Sequence, residues 1–250
     1  MLKQKLRQRR LANGALLLPF PDVNIFIDPG GKVHVNLAKS DTPARTLISE
    51  MMILANTEAA RFLSNRMVPG LFRRQPPQKQ RFVHGEDDDL LLNVRPRKHL
   101  PPVELRTDAN PHTGLGDSQY TTVTSPIRRL LDLVMQHQLH SITRRREPCF
   151  TEDMCRDFST VITRTLTLAN NVKQQRHRYW LLQYLQERKG QLLNALVIES
   201  GPKRVNMVLT DLLMDVDLST PTNFKPQAGS MVKLRISQVS ALDNTVKFSW

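Results

Sequence analysis

The sequence predicts an α+β chain in two parts: a helix-rich stretch with one β-hairpin over residues 1–189, then a small five-stranded barrel over 190–250. Three observations predict it. Long runs before Gly190 place apolar residues at i, i+3 and i+4, the period of a helix with one buried face. Asp28-Pro29-Gly30-Gly31 sits between two β-rich runs and supplies the positive φ that a tight reversal needs. After Gly190 the period changes to short, alternating β-branched segments. With 250 residues the chain is long enough to bury a proper core in one or two domains.

Taken in order, residues 1–11 read as a basic helix ending near Asn13-Gly14. "VNIFIDPGGKVHVNL" reads as a hairpin, with Asp28 a turn residue rather than a catalytic acid. A helix follows over "PARTLISEMMILANTEAARFLSNR", with Thr42 as its cap and Pro43 in its first turn. Its expected core stripe is Leu47/Ile48, Met51/Met52, Leu54/Ala55, Ala59 and Phe62/Leu63. Residues 73–119 lack periodicity and read as a long irregular connection. It contains the unspaced acidic run Gly85–Asp89, which reads as a solvated loop rather than a cation site. Ser125 and Pro126 open a further helix to about His140, followed by the basic turn Arg144-Arg145-Arg146. From Thr151 the helical pattern runs to Gly190, long enough to expect a break near Ala169-Asn170-Asn171. In the strand region Val232, Leu234 and Ile236 alternate with Lys233 and Arg235, so one face is buried and the other basic and wet. Four or five such strands in some 60 residues suit an OB-type barrel, a fold that commonly holds single-stranded nucleic acid. Its aromatics are sparse (Phe224, Phe248 and Trp250), so its expected contribution is mainly charge.

Thirty-six basic residues face 23 acidic ones, a formal net charge of +13. Such an excess attracts polyanions, with nucleic acid the leading partner and an anionic membrane surface the second. No apolar run approaches the roughly 18 residues needed to span a bilayer, and "ALLLPF" behind the basic start is too short for a signal peptide. Cys149 and Cys155 lack a second pair, so they read as buried or half-buried free thiols in a reducing cytoplasm.

The stretch "YTTVTSPIRRLLD" carries the sharpest functional signal. A capped helix start offers unpaired N–H groups and a partial positive charge, and Arg128 and Arg129 are expected within its first turn, about 100° apart. One is placed to meet a phosphate, with Asp132 one turn on to steady Arg128. A plain surface arginine pair is the alternative.

The run "HTGLGDSQYTTVTSPIRRLLDLVMQHQ", His112 to Gln138, resembles the signature of the ribonuclease II/R (RNB-type) family of processive 3′→5′ exoribonucleases. The match lies at His112, Gly114-Leu115, Tyr120, Thr124 through Arg129 and Asp132; Thr113 and Leu130 depart, standing where the family usually has aromatics. "LRQRRLANGALLL", "LISEMMILANTEAARFL", "PGLFRRQPP" and "QQRHRYWLLQYLQERKG" resemble further stretches of the family in the same order, so nearly the whole chain is covered. The resemblance implies the C-terminal part of an RNB-type catalytic domain followed by an RNA-binding OB barrel. It implies single-stranded RNA as partner, and hydrolysis by water activated on two divalent cations, Mg²⁺ in the family. Arg128 would be the catalytic residue at the scissile phosphate. The implied RNA contacts are His112, Tyr120, Thr124, Ser125, Arg129, Lys173, Arg176, Lys233 and Arg235.

The family's metal-binding aspartates lie in a cluster upstream of the arginine segment, and no comparable spaced cluster precedes Ala44 here. Asp22 and Asp28 flank a strand and do not supply it. Ser49 and Gln174 or Gln175 stand where the family tends to place glutamates, and Leu18 where it has a base-clamping aromatic. The expectation is a cytoplasmic RNA-binding chain with no complete metal site, inactive alone. Either it works with a separate polypeptide supplying the aspartates, or it is a catalytically silent RNA binder. A DNA-directed role has no motif in its favour. If a front half normally covers the core helices, Met51, Met52 and Phe62 are expected to be exposed.

Overall fold

The computed structural model describes residues 2–17, 20–39, 42–78 and 100–250; the acidic run at 85–89 and Leu18 lie outside them. The described chain gathers into two compact units. One is drawn from residues 2–17, 42–78 and 100–168, the other from 20–39 and 169–250.

In the first unit, α1 (Leu2–Ala12) turns at Gly14 and α2 (Pro43–Ser64) begins as expected, Thr42 Oγ1 accepting from the Arg45 N–H with Pro43 in the first turn. The core stripe expected on α2 holds only at its C-terminal end, where Leu63 is fully buried and Ala59 and Phe62 pack beside it. Leu47, Ile48 and Met51 are instead exposed, while Thr46, Glu50, Asn56 and Thr57 are buried. The helix is rotated because each inward polar group has a specified partner. Glu50 pairs with Arg10 at 2.6 and 2.9 Å, Thr57 donates to Asp117 at 2.9 Å, and Asn56 holds Tyr120 and the Val123 backbone. Burying Glu50 or Arg10 unpaired would cost several kcal/mol, so paired polar groups outrank a few methyls in choosing the inward face.

The described parts of the connection after α2 are more ordered than their sequence promises. β3 (Phe72–Arg74) pairs antiparallel with β4 (Glu104–Arg106), and a short 3₁₀ turn covers Thr113–Leu115. The next helix, α3 (Leu130–Thr143), starts four residues later than expected. The Gln138 side chain, fully buried on it, bonds the Pro69 carbonyl and both backbone groups of Phe150. Around it lie Leu71, Val123, Leu131, Val134, Met135, Cys155 and Ile162. Of the two free cysteines Cys155 is buried, with burial pushing its thiol up to about 11, whereas Cys149 is exposed.

Helix α4 (Glu152–Gln186) is one continuous 35-residue helix, and the break expected at Ala169-Asn170-Asn171 is absent. Thr151 Oγ1 accepts from the Met154 N–H at its start. Two mid-helix asparagines cost at most about 0.7 kcal/mol each relative to alanine, whereas a break strands four N–H and four C=O groups. The part before residue 169 belongs to the first unit and the remainder to the second.

In the second unit, β1 (Asp22–Ile27) and β2 (Val33–Ala38) form the expected hairpin. Asp28 Oδ1 accepts from the Gly30 and Lys32 N–H groups at 2.9 Å, and Oδ2 lies 2.9 Å from His34. Those bonds, the His34 contact foremost, hold its carboxyl below the usual range, as a turn residue requires. Five strands, β5 (Leu192–Ser200), β6 (Arg204–Leu209), β7 (Met214–Ser219), β8 (Met231–Ser240) and β9 (Thr245–Ser249), pair antiparallel in the order 7-6-5-8-9. They make the nearly closed barrel expected, with a core including Val197, Val205, Met207, Leu234, Ile236 and Phe248, against which Leu181, Leu182 and Leu185 of α4 pack. Leu234 and Ile236 face in and Lys233 and Arg235 face out, as their alternation requires.

Candidate nucleic-acid interface

Asp132 organises the arginine segment. It is fully buried in the first turn of α3, and both its oxygens are used. Oδ2 accepts from Thr122 Oγ1 at 2.8 Å; Oδ1 accepts from the Ser125 N–H at 2.8 Å and from the Arg129 guanidinium at 2.7 Å. With its N–H drawn to Asp132, Ser125 does not cap the helix. Its carbonyl instead accepts from the backbone N–H groups of Arg128 and Arg129, at 3.3 and 3.1 Å, so Pro126–Arg128 form a turn. Arg129, in extended conformation, takes the cap position of α3 without a side-chain cap bond. The two arginines therefore precede the helix instead of occupying its first turn, and Asp132 steadies Arg129, not Arg128.

This changes what each arginine can do. Arg129 is half-buried, held by Asp132 and within 3.5 Å of Thr124 Oγ1, while its Nε is buried without a partner among the described residues. Arg128 is exposed at the turn beside a fully exposed Ile127, and its side chain makes no hydrogen bond or ion pair with the described residues.

The strand of residues before the turn is fixed as firmly. Asn56 of α2 donates to the Tyr120 hydroxyl at 3.0 Å and accepts from the Val123 N–H at 2.8 Å, and Thr121 Oγ1 donates to the Leu71 carbonyl at 2.6 Å. The His112 ring meets Tyr120 edge-on, with centroids 5.5 Å apart. Burial, reinforced by the Arg73 charge, depresses the His112 imidazole to about 4, so it is neutral at physiological pH. Its Nδ1 is buried without a partner among the described residues. Burial likewise raises the Tyr120 phenol, which stays protonated. Gly116 allows the 112–117 turn to close: its φ is +70°, and a Cβ there would lie 2.6 Å from the Arg10 carbonyl oxygen.

Arg73 belongs to this cluster and was missed in sequence, although "LFRRQPP" contains it. Successive strand residues point to opposite faces. Arg74 turns to Glu104, 2.8 Å away, whereas Arg73 lies within the electrostatic reach of Tyr120, Asp132 and Arg129. Burial lowers its pKa from the ordinary guanidinium value, the Arg129 charge adding to that, yet it remains a cation. It makes no side-chain hydrogen bond with the described residues. Arg73 and Arg129 thus lie within electrostatic reach of one carboxylate, Asp132, which bonds Arg129 and not Arg73.

His112, Tyr120, Thr124, Ser125, Arg128 and Arg129 all lie in the first unit. Lys173, Arg176, Lys233 and Arg235 lie in the second, all four exposed; Arg235 donates to the Gly190 carbonyl at 3.0 Å.

The model of the RNB domain matches residues 1–87 and 85–145. The chain belongs to the RNB-domain family of ribonucleases II and R. A ribonuclease of Synechocystis sp. is 26% identical over 98% of this chain and 37% of its own length. Among solved structures, an active-site mutant of the Dss1 exoribonuclease from Candida glabrata superposes with a TM-score of 0.85 at 19% identity, covering 99% of this chain and 34% of that one. RNase R of Mycoplasma genitalium, in complex with ribose-methylated single-stranded RNA, superposes with a TM-score of 0.78 at 16% identity, over 99% of this chain and 48% of that one. The chain spans between a third and a half of the length of these RNB-domain relatives. The two superpositions show that the fold, from α1 to the barrel, is the one shared by these RNB proteins.

RNB ribonucleases are generally metal-dependent, and two-cation hydrolysis needs several carboxylates around one point. Among the described residues no group of three or more His, Cys, Asp or Glu side chains is placed to hold a metal ion. Asp132 spends both oxygens on Thr122, Ser125 and Arg129, and Asp28 spends its own on the hairpin turn. These residues do not fit a cation pair. No helix among the described residues is long and apolar enough to cross a membrane.

Proposed function

We propose that this chain binds single-stranded RNA by its sugar–phosphate backbone, with Arg128 on the phosphate where its relatives cut, and that by itself it does not hydrolyse RNA. The reading is carried by Arg128: an exposed guanidinium without a partner among the described residues, presented by a turn that a buried carboxylate locks in place. Arg129, next to it in sequence, adds positive charge, with Arg73 within electrostatic reach of Arg129; neutral His112 and protonated Tyr120 bring no opposing charge, and Thr124 and Ser125 hold the turn. Lys173, Arg176, Lys233 and Arg235 extend the basic surface in the second unit. The charge excess of +13 draws the polyanion in. A relative's solved complex with single-stranded RNA supports RNA as the ligand class.

Hydrolysis on this reading awaits carboxylates from a separate polypeptide carrying the front of an RNB domain, with Mg²⁺ held there. The second reading, a silent RNA binder, is favoured by the commitment of Asp132 and Asp28 to structural bonds. Incubating the purified chain with 3′-labelled and 5′-labelled single-stranded RNA and Mg²⁺ or Mn²⁺ tests the central statement. Binding without shortening is expected; stepwise 3′ shortening abolished by Arg128→Ala would overturn it. Restored shortening on adding an Asp-bearing RNB front half would select the two-chain enzyme over the silent binder. The proposed place of action is the cytoplasm.

A further inference from the structure

In the second unit a cleft of about 320 Å³ separates one edge of β1 from one face of α4. Its strand wall is Val23 through Ile27, five consecutive residues, so the backbone edge itself forms that wall. β1 pairs with β2 alone among the described strands, which leaves this edge's N–H and C=O groups without a ladder partner. The helix wall is Lys173, Arg176, His177 and Trp180, spaced i, i+3, i+4 and i+7 along one stripe.

The chemistry of this stripe is uneven in a useful way. Lys173 and Arg176 are exposed and have no acidic partner among the described residues. Partial burial, with the nearby Lys173 ammonium, lowers the His177 pKa, which favours the uncharged ring, a donor and an acceptor. Trp180 is half-buried, braced edge-on by Tyr179 with centroids 5.1 Å apart, and its Nε1–H has no partner among the described residues. Cations stand at one end of the stripe and an indole face beyond them, about 10.5 Å along the axis from Lys173 and about 6 Å from Arg176. The shorter distance is comparable to the separation of phosphate and base within one nucleotide.

We propose that this cleft is a nucleotide subsite, holding one residue of a single RNA strand with its phosphate at Lys173 and Arg176 and its base against Trp180. The inference rests on the RNA-binding reading above and adds a site remote in sequence from the arginine turn. An indole face is worth having for any base, since every base has a stackable surface. The free edge of β1 supplies hydrogen bonds to the base's polar rim. A protein strand adding to that edge is the competing occupant. The volume lies at the lower limit of small-ligand sites, which suits one nucleotide better than a peptide running the length of the strand.

The chain has two tryptophans, so Trp250→Phe leaves Trp180 as the single indole reporter. In that background adenosine 5′-monophosphate is expected to quench Trp180 emission saturably, and ribose 5-phosphate, which lacks a base, is not. Lys173→Ala with Arg176→Ala should weaken the nucleotide by about 10-fold or more, the scale of one or two charge-assisted contacts. Arg128→Ala should leave that quenching unchanged. A fluorescently labelled ten-nucleotide RNA followed by anisotropy separates the two readings. If the RNA binds in an Arg128-dependent way while Trp180 is unmoved, the subsite is refuted and the RNA reading stands. Absence of any RNA binding would remove the wider reading. Quenching by oligoglutamate as strong as that by the nucleotide would make the cleft a peptide-docking edge and overturn the proposal.

Discussion

At the scale of single residues, the decisive contacts are made by carboxylates and amides that a helical wheel would have put outside. Asp132 binds three donors from the arginine turn, so Asp132→Ala leaves a half-buried Arg129 uncompensated and the Ser125 N–H unpaired. The expected loss is about 3 kcal/mol, read as a fall in the urea midpoint. Arg128 contributes nothing of that kind. Arg128→Ala should change stability by under about 0.5 kcal/mol and reduce the slope of log affinity for single-stranded RNA against log salt by about 0.7. A change in stability without a change in slope would show Arg128 to be structural. His112 yields a pH test. Its folded pKa, about 4, lies below the unfolded value near 6.5. Between those values the unfolded chain takes up a proton that the fold refuses, so stability falls as pH drops from about 6.5 to 4, by at most about 3 kcal/mol, and is unaffected above 6.5. His112→Phe should flatten that part of the stability–pH curve measured by urea titration.

At the scale of elements, α4 and the turn before α3 show local propensity losing to continuity and to one buried carboxylate. The asparagines at 170 and 171 invite a break, but the helix passes through them unbroken. Asn170→Pro removes one helical bond and clashes with the preceding turn, at a cost of about 3 kcal/mol. It should lower helical circular dichroism and the melting temperature together, whereas Asn170→Ala should raise stability by up to about 0.7 kcal/mol. Ser-Pro before "IRRLLD" has the composition of a capped helix start, yet Asp132 reaches back to the Ser125 N–H and delays the helix to Leu130. The cap at Thr42, the hairpin turn at Asp28 and the in–out alternation of β8 were legible because each is decided within a few residues.

At the scale of the whole molecule, the described surface exposes apolar side chains on α2, at Leu47, Ile48 and Met51, as exposed as the sequence reading anticipated for Met51. Met52 and Phe62, named with it, are half-buried. A contiguous apolar face of this kind drives association in water. Ile48→Lys with Met51→Lys should therefore shift the chain toward monomer in analytical ultracentrifugation without lowering its melting temperature. An unchanged sedimentation profile would show that the face does not mediate self-association.

Sequence alone determined the class of fold, the succession of helices and strands, the basic excess and the family, because periodicity, turn residues and an ordered signature are properties of neighbours along the chain. Tertiary structure alone decided which face of α2 is buried, that the arginines stand ahead of their helix, and that Arg73 joins them while Arg74 does not. Those outcomes depend on side-chain partners that no helical or strand period points to, from 7 residues apart for Ser125 and Asp132 to 67 for Asn56 and Val123. A buried charge or amide must find its partner wherever the fold brings one, and no local pattern records that search.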